Sequence, residues 1–172
     1  PSNTTTLNVD VGGTNIINFK YKLGVAGTTD CTSTTGYSAI VAQTINITDS
    51  IAGLAEGAIR LCVVGESSVT GWQPYLSPTV FDWTKDTTAP VATITSQPTN
   101  PSNDSTPTFS FTATDVGGVS GYECDLDGGG YVACTSPHTL AGPLPSSAYM
   151  FSIRAIDNAG NISASVNYNW VI

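Results

Sequence analysis

Residues 122–137 read YECDLDGGGYVACTSP, and their pattern indicates two paired β-strands. Its apolar residues Tyr122, Cys124 and Leu126 alternate with acidic ones, so one side of the segment is apolar and the other is polar. Alternation with a period of two is typical of a β-strand that lies on a core. Three consecutive glycines then predict a turn, after which residues 130–134 return as a second strand.

The rest of the C-terminal half shows the same alternation on both sides of this hairpin. Turn sequences rich in glycine, asparagine, aspartate and proline separate the alternating segments. No segment of this half shows a sustained helical period with helix caps. Several short strands within about 85 residues predict a β-sandwich. The predicted strands are 91–96, 107–114, 119–126, 130–134, 138–141, 148–156 and 163–171.

The N-terminal half repeats the C-terminal half in the same order. The matches are VDVGG 9–13 with TDVGG 114–118, FKYKL 19–23 with YECDL 122–126, DCTS 30–33 with ACTS 133–136, Leu54 and Leu61 with Leu144 and Phe151, and FDWT 81–84 with YNWV 168–171. Self-similarity over this length indicates a duplicated structural unit. We therefore predict two copies of one domain, at 1–84 and 91–172, joined by a linker at 85–90.

The first copy has no counterpart of the segment VATITS at 91–96. Its segment TTTLNVD at 4–10 corresponds to the second strand of the other copy, and nothing before it matches the first strand. Three explanations stay open. The sequence begins inside a domain, residues 1–6 form a shortened first strand, or a strand from elsewhere fills the gap, as in filaments that assemble by strand addition.

Longer phrases carry a resemblance to a known family. DTTAP at 86–90, YECDLDGGGYVACTSP at 122–137 and FSIRAIDNAGN at 151–161 resemble the tandem bacterial immunoglobulin-like repeats of large secreted and surface proteins. GLAEGAIRLCVVGESS at 53–68 is similar to a sister version of that repeat. The resemblance covers nearly the whole chain. It implies an all-β fold of two tandem immunoglobulin-like β-sandwiches, which serve outside the cell as non-enzymatic spacers or adhesive elements.

Composition narrows the classes of function and partner. Thirteen acidic residues face five basic ones, a formal charge of -8, which argues against nucleic acid and anionic membrane surfaces as partners. No apolar run approaches the ~18 residues needed to span a bilayer. The single histidine, His138, and the lack of a nucleophile-elbow motif predict that the chain is not an enzyme. The predicted partners are neighbouring repeats, copies of the chain, or a cell-surface or glycan target.

The four cysteines predict an extracellular or cell-surface location. Their even number, the absence of a CxxC pair and the low charge are typical of an oxidising compartment rather than a zinc site. Cys124 and Cys134 flank the hairpin at its open end, so we predict a disulfide between them. Cys62 should point outward from its strand. A bridge from Cys62 to Cys31 therefore requires the loop at 24–37 to fold over that face, with an intermolecular bond or a free thiol as the alternative.

Three aspartates are predicted at one pole of the second sandwich. Asp115 lies between the second and third strands, Asp157 lies between the last two, and Asp86 lies in the linker that enters this pole. Calcium takes six to eight oxygen ligands, so these carboxylates form a candidate calcium site. The alternative is that Asp115 and Asp157 cap loop amides as ordinary turn residues. No other cofactor is predicted.

Trp72 and Tyr75, in the segment GWQPY at 71–75, have no aromatic counterparts in the second copy. They are the candidate contact surface, either for sugar stacking or for a neighbouring protein. Partial burial under a long loop is the alternative. Trp83 and Trp170, by contrast, occupy matched positions on the last strand, and we predict that both pack in a core.

Overall fold

The computed structural model describes residues 1–172, and every regular element in it is a β-strand. The chain divides into two compact units, unit 1 (Pro1–Thr87) and unit 2 (Thr88–Ile172). It contains no helix that could cross a bilayer. The strands are β1 Thr6–Val9, β2 Ile16–Val25, β3 Val41–Ala42, β4 Ile47–Ser50, β5 Gly57–Ser67, β6 Gly71–Trp72, β7 Thr79–Lys85, β8 Val91–Ser96, β9 Thr108–Thr114, β10 Val119–Leu126, β11 Val132–Cys134, β12 His138–Thr139, β13 Ala148–Asp157 and β14 Val166–Val171.

Unit 2 is a sandwich of two antiparallel sheets. One sheet has the strand order β12–β9–β8, and the other has the order β11–β10–β13–β14. The apolar side chains of the alternating segments meet between the sheets, where Phe109 stacks on Phe151 with 4.1 Å between ring centroids. Trp170 closes this core and is 1% exposed. The period-two pattern therefore marks the buried side of each strand.

Unit 1 has the same plan with a smaller second sheet. β2, β3, β5, β6 and β7 form one sheet, and only β1 and β4 form the other. The core between them includes Leu7, Phe19 and Leu61. Within residues 1–172, β1 pairs with β4 alone. Of the residues before β1, Ser2 alone forms a bridge, a parallel one to Lys85.

Strand register is the same in both units. In unit 1, Leu61 of β5 lies opposite Leu23 of β2 and opposite Phe81 of β7. In unit 2, Phe151 of β13 lies opposite Leu126 of β10 and opposite Tyr168 of β14. These triplets consist of positions that the sequence repeat aligns with one another. A shift of one residue would turn every side chain to the other face, so the shared register supports two copies of one sandwich.

Candidate functional site

The outer face of the large sheet in unit 1 is covered by the loop between β2 and β3. A disulfide joins Cys31 of this loop to Cys62 of β5, with a Cα–Cα distance of 5.4 Å. Cys62 points away from the core of the sandwich, yet it is fully buried. The loop therefore shields the cysteine that strand alternation directs outward.

Hydrogen bonds hold this loop against the sheet. The Lys22 ammonium on β2 donates to the Asp30 carbonyl at 2.8 Å and to the Ser33 carbonyl at 2.9 Å. The Tyr37 hydroxyl donates to the Cys31 carbonyl at 2.8 Å, inside the loop. Lys22 thus lies under the loop and binds two of its carbonyl oxygens, which explains why an outward-facing lysine is only partly exposed.

An aromatic patch lies on the same face and consists of Tyr37, Trp72 and Tyr75. All three side chains are half-buried. Tyr37 and Tyr75 pack edge to face, with 5.1 Å between ring centroids. The Lys20 ammonium lies 5.1 Å from the centre of the Trp72 ring, and that of Lys22 lies 4.7 Å from the centre of the Tyr37 ring. The exposed part of the patch is therefore amphipathic, with a cation over two of its rings.

The patch depends on an interruption of the last strand of unit 1. β6 and β7 pair with the same strand, β5, and the segment between them carries Tyr75. In unit 2 the corresponding segment lies between Ile162, which bridges to Ile156, and the start of β14, and its residues 163–165 include no aromatic, so Tyr75 has no counterpart there. The sequence does not predict that Tyr37 belongs to this patch, because the long loop in which it lies shows no periodicity. Burial raises the pKa of the Tyr37 phenol above its ordinary value, and the nearby Tyr75 and Asp30 add to this effect.

The hairpin of β10 and β11 in unit 2 is cross-linked. Cys124 of β10 and Cys134 of β11 form a disulfide with a Cα–Cα distance of 5.8 Å. Arg154 of β13 lies beside this hairpin, donates to the Glu123 carboxylate at 2.6 Å and stacks over Tyr131 at 4.1 Å. His138 of β12 stacks on the core residue Phe151.

Asp115 and Asp157 lie close together in unit 2. Their carboxylate oxygens are within 4.8 Å of each other. Each carboxylate binds amides of its own loop, since Asp115 accepts from the Gly117 N–H at 2.7 Å and Asp157 accepts from the Ala159 N–H at 2.7 Å and the Asn161 N–H at 2.8 Å. Both aspartates therefore organise the turns that carry them.

Hydrogen bonding decides the charge state of Asp157, which is 1% exposed. Burial tends to raise the pKa of its carboxyl group. Hydrogen bonds from the side chain and backbone of Asn161, and from the Ala159 and Gly160 amides, outweigh this effect and hold the pKa below its usual value. The group is thus ionised at neutral pH.

The third predicted calcium ligand, Asp86, belongs to unit 1. Its backbone N–H donates to the Ser2 carbonyl at 2.9 Å. In unit 2, the Asp115 and Asp157 carboxylates are oxygen donors of the kind that calcium prefers. The calcium site with Asp86 as its third ligand stays a prediction.

No known family model matches the chain. Chitinase A1 from Niallia circulans is 32% identical over 176 residues, which cover 96% of this chain and 22% of that protein. Chitinase Chi52 from Paenibacillus xylanexedens is 31% identical over 118 residues, which cover 60% of this chain and 22% of that protein. The chain thus spans about a fifth of the length of these relatives.

A solved structure of fibronectin(III)-like modules from Clostridium thermocellum CbhA has the same fold. It aligns with a TM-score of 0.55 and 16% sequence identity, and the match covers 99% of this chain and 86% of that one. The chain is therefore an all-β protein built of immunoglobulin-like β-sandwiches, of which the fibronectin(III)-like fold is one form.

Proposed function

We propose that the chain is a non-catalytic structural part of a larger secreted protein, in which it spaces or presents neighbouring domains. One observation carries this proposal. Two copies of one sandwich, each with its own hydrophobic core, align over 96% of the chain with 22% of a chitinase. A repeat of this size and plan fits an accessory part of such a protein better than its catalytic part.

The cross-links and the charge of the chain support a location outside the cell. Both disulfides tie loops or hairpins to the large sheet of their own unit, where an oxidising environment would preserve them. The low content of charged residues and the net negative charge suit a soluble spacer. The resemblance to bacterial immunoglobulin-like repeats and the names of the relatives favour a secreted polysaccharide-degrading enzyme as the parent protein.

Glycan binding is the second candidate function, because the aromatic patch supplies half-buried rings on one face of unit 1. Carbohydrate-binding surfaces stack sugar rings on the faces of aromatic side chains. Here the Lys20 ammonium covers one face of Trp72, and Lys22 covers Tyr37 while bound to loop carbonyls. These cations compete with a sugar for the ring faces that they cover, so the spacer role is favoured over glycan binding.

The two functions separate in a binding and turnover experiment with the purified 172-residue chain. The chain is incubated with insoluble chitin and, separately, with soluble chitin oligosaccharides. We expect no release of reducing sugar and no more retention on chitin than for a variant with Trp72→Ala and Tyr75→Ala. Retention that this variant loses would establish glycan binding. Hydrolysis by the purified chain would overturn the proposal of a non-catalytic module.

A further inference from the structure

A groove opens in unit 2 where the pairing between β9 and β12 ends. In unit 1, β4 pairs with all four residues of β1. In unit 2, β12 pairs only with Thr108 and Phe109, although β9 continues to Thr114. The edge of β9 that faces away from β8 is therefore open beyond Phe109.

This open edge of β9 carries polar backbone groups. The Pro107 carbonyl accepts from the Leu140 N–H, so the odd-numbered residues of β9 direct their backbone groups away from β8. The Phe111 N–H follows this rule and donates to the Ser136 hydroxyl at 2.8 Å. The Phe111 carbonyl and the Ala113 N–H point to the same side, so the edge offers one acceptor and one donor to the groove.

The groove has a volume of about 580 Å³, and all the side chains that line it are uncharged. This volume lies within the range of about 300–1,000 Å³ that is usual for sites of small molecules. A charged ligand would lose part of its hydration there without gaining an ion pair, so the lining favours a neutral ligand. The aromatic and hydroxyl-bearing residues of the lining are Phe111, Thr112, Ser120, Tyr122, Thr135 and Ser136.

Tyr122 supplies both an aromatic ring and a hydroxyl group. Its half-buried ring packs edge to face on the buried Phe111, with 5.0 Å between ring centroids. The hydroxyls of Tyr122, Thr112 and Thr135 make no hydrogen bond within the chain. The matched residue of unit 1, Phe19, has no hydroxyl and is fully buried. These features of the groove are therefore specific to unit 2.

We propose that this groove binds a short stretch of a neutral glycan, a function beyond the spacing role. A sugar hydroxyl both donates and accepts, so it suits the Phe111 carbonyl, the Ala113 N–H and the hydroxyls of the lining. The apolar face of the sugar ring lies against the Tyr122 ring. An added peptide strand fits less well, because it would need the Phe111 N–H, which the Ser136 hydroxyl already binds.

An NMR titration of the 172-residue chain tests this proposal. The neutral probes are chitohexaose and cellohexaose, and the charged probe is hexagalacturonate. We expect at least one neutral probe to shift the Ala113 amide signal in a saturable way at about 1–10 mM, and the probe that does so identifies the glycan. Hexagalacturonate should bind at least tenfold more weakly (an order-of-magnitude expectation for an unpaired charge).

Three variants locate the binding site. Tyr122→Phe keeps the packing of the ring and removes only its hydroxyl, so binding should weaken about three- to tenfold, as for the loss of one hydrogen bond. The matched control is Tyr131→Phe, a half-buried tyrosine of unit 2 outside the groove, which should bind as the unmodified chain does. The variant with Trp72→Ala and Tyr75→Ala, both in unit 1, should also bind unchanged.

The proposal fails if neither neutral probe shifts the Ala113 signal, or if hexagalacturonate binds as tightly as they do. Equal affinity of Tyr122→Phe and the unmodified chain would also overturn it, and so would loss of binding in the variant of Trp72 and Tyr75. A neutral hexapeptide of alternating alanine and threonine that shifts the Ala113 signal at lower concentration than either glycan would overturn it in favour of peptide binding.

Discussion

Removing the disulfides one at a time separates their contributions to stability. In one variant, Cys31 and Cys62 are both replaced by alanine, and in the matched variant Cys124 and Cys134 are. Alanine avoids placing a hydroxyl group at the position of Cys62, which is fully buried. Intact mass should first show both bridges in the unmodified protein, as a gain of about 4 Da on reduction, two hydrogens for each bridge.

The lengths of the closed loops set the expected magnitudes. The bridge in unit 1 spans a sequence separation of 31, and the bridge in unit 2 spans 10. Loop-closure entropy gives contributions of about 3.7 kcal/mol for the longer loop and about 2.7 kcal/mol for the shorter one at 25 °C. Loss of the bridge between Cys31 and Cys62 should therefore cost about 1 kcal/mol more in the free energy of unfolding.

Urea unfolding, followed through resolved amide signals of each unit, measures both costs. The variant of unit 1 should also show faster hydrogen exchange in the loop at 26–40, because hydrogen bonds such as those of Lys22 and Ser38 then hold that loop to the sheet without a covalent link. Unit 2 should be unaffected in this variant. An equal or larger cost for the bridge between Cys124 and Cys134 would refute the loop-length reasoning, and an unchanged loop at 26–40 would refute its tethering by Cys31.

Three further predictions concern the cores and the aspartate pair. Trp170→Ala should lower the free energy of unfolding of unit 2, measured in urea, by about 3–5 kcal/mol. Trp83→Ala should lower that of unit 1 by a smaller amount, with a difference of at least ~1 kcal/mol, because Trp83 is less buried. Equal losses would contradict this effect of burial. Because the pKa of Asp157 is lowered by folding, its charge stabilises unit 2 above a pH of about 4, and this contribution is lost as pH falls through the folded pKa. Thermal melts at pH 7 and pH 3 should differ less for Asp157→Asn than for the unmodified chain, and an identical pH dependence would show that this carboxylate has no such role. If the predicted calcium site exists, millimolar calcium should raise the midpoint of thermal unfolding, and a chelator should reverse the rise. A midpoint that changes with neither calcium nor chelator would contradict the prediction.

The strands and their register can be predicted from this sequence because they follow a local rule, the alternation of apolar and polar residues. The alternation in residues 122–126 places Cys124 on the core side, and the matched phrases align Leu61 with Phe151 before any contact is known.

The contacts on the outer face of unit 1 cannot be predicted in this way. Alternation predicts that Lys20 and Lys22 face solvent, and both do lie on the outer face. Lys22 is nevertheless tied to two carbonyls of a loop that has no periodicity of its own. The packing of Tyr37 against Tyr75 joins two irregular segments that are far apart in sequence, and such contacts arise only from tertiary structure.

Cross-strand contacts between backbone protons, measured by NMR on the 172-residue chain, test most directly whether the halves are copies of one sandwich. We predict contacts between Leu23 and Leu61 and, in the other half, between Leu126 and Phe151. Contacts displaced by even one residue in one half, or absent from it, would contradict a shared register and with it the duplication.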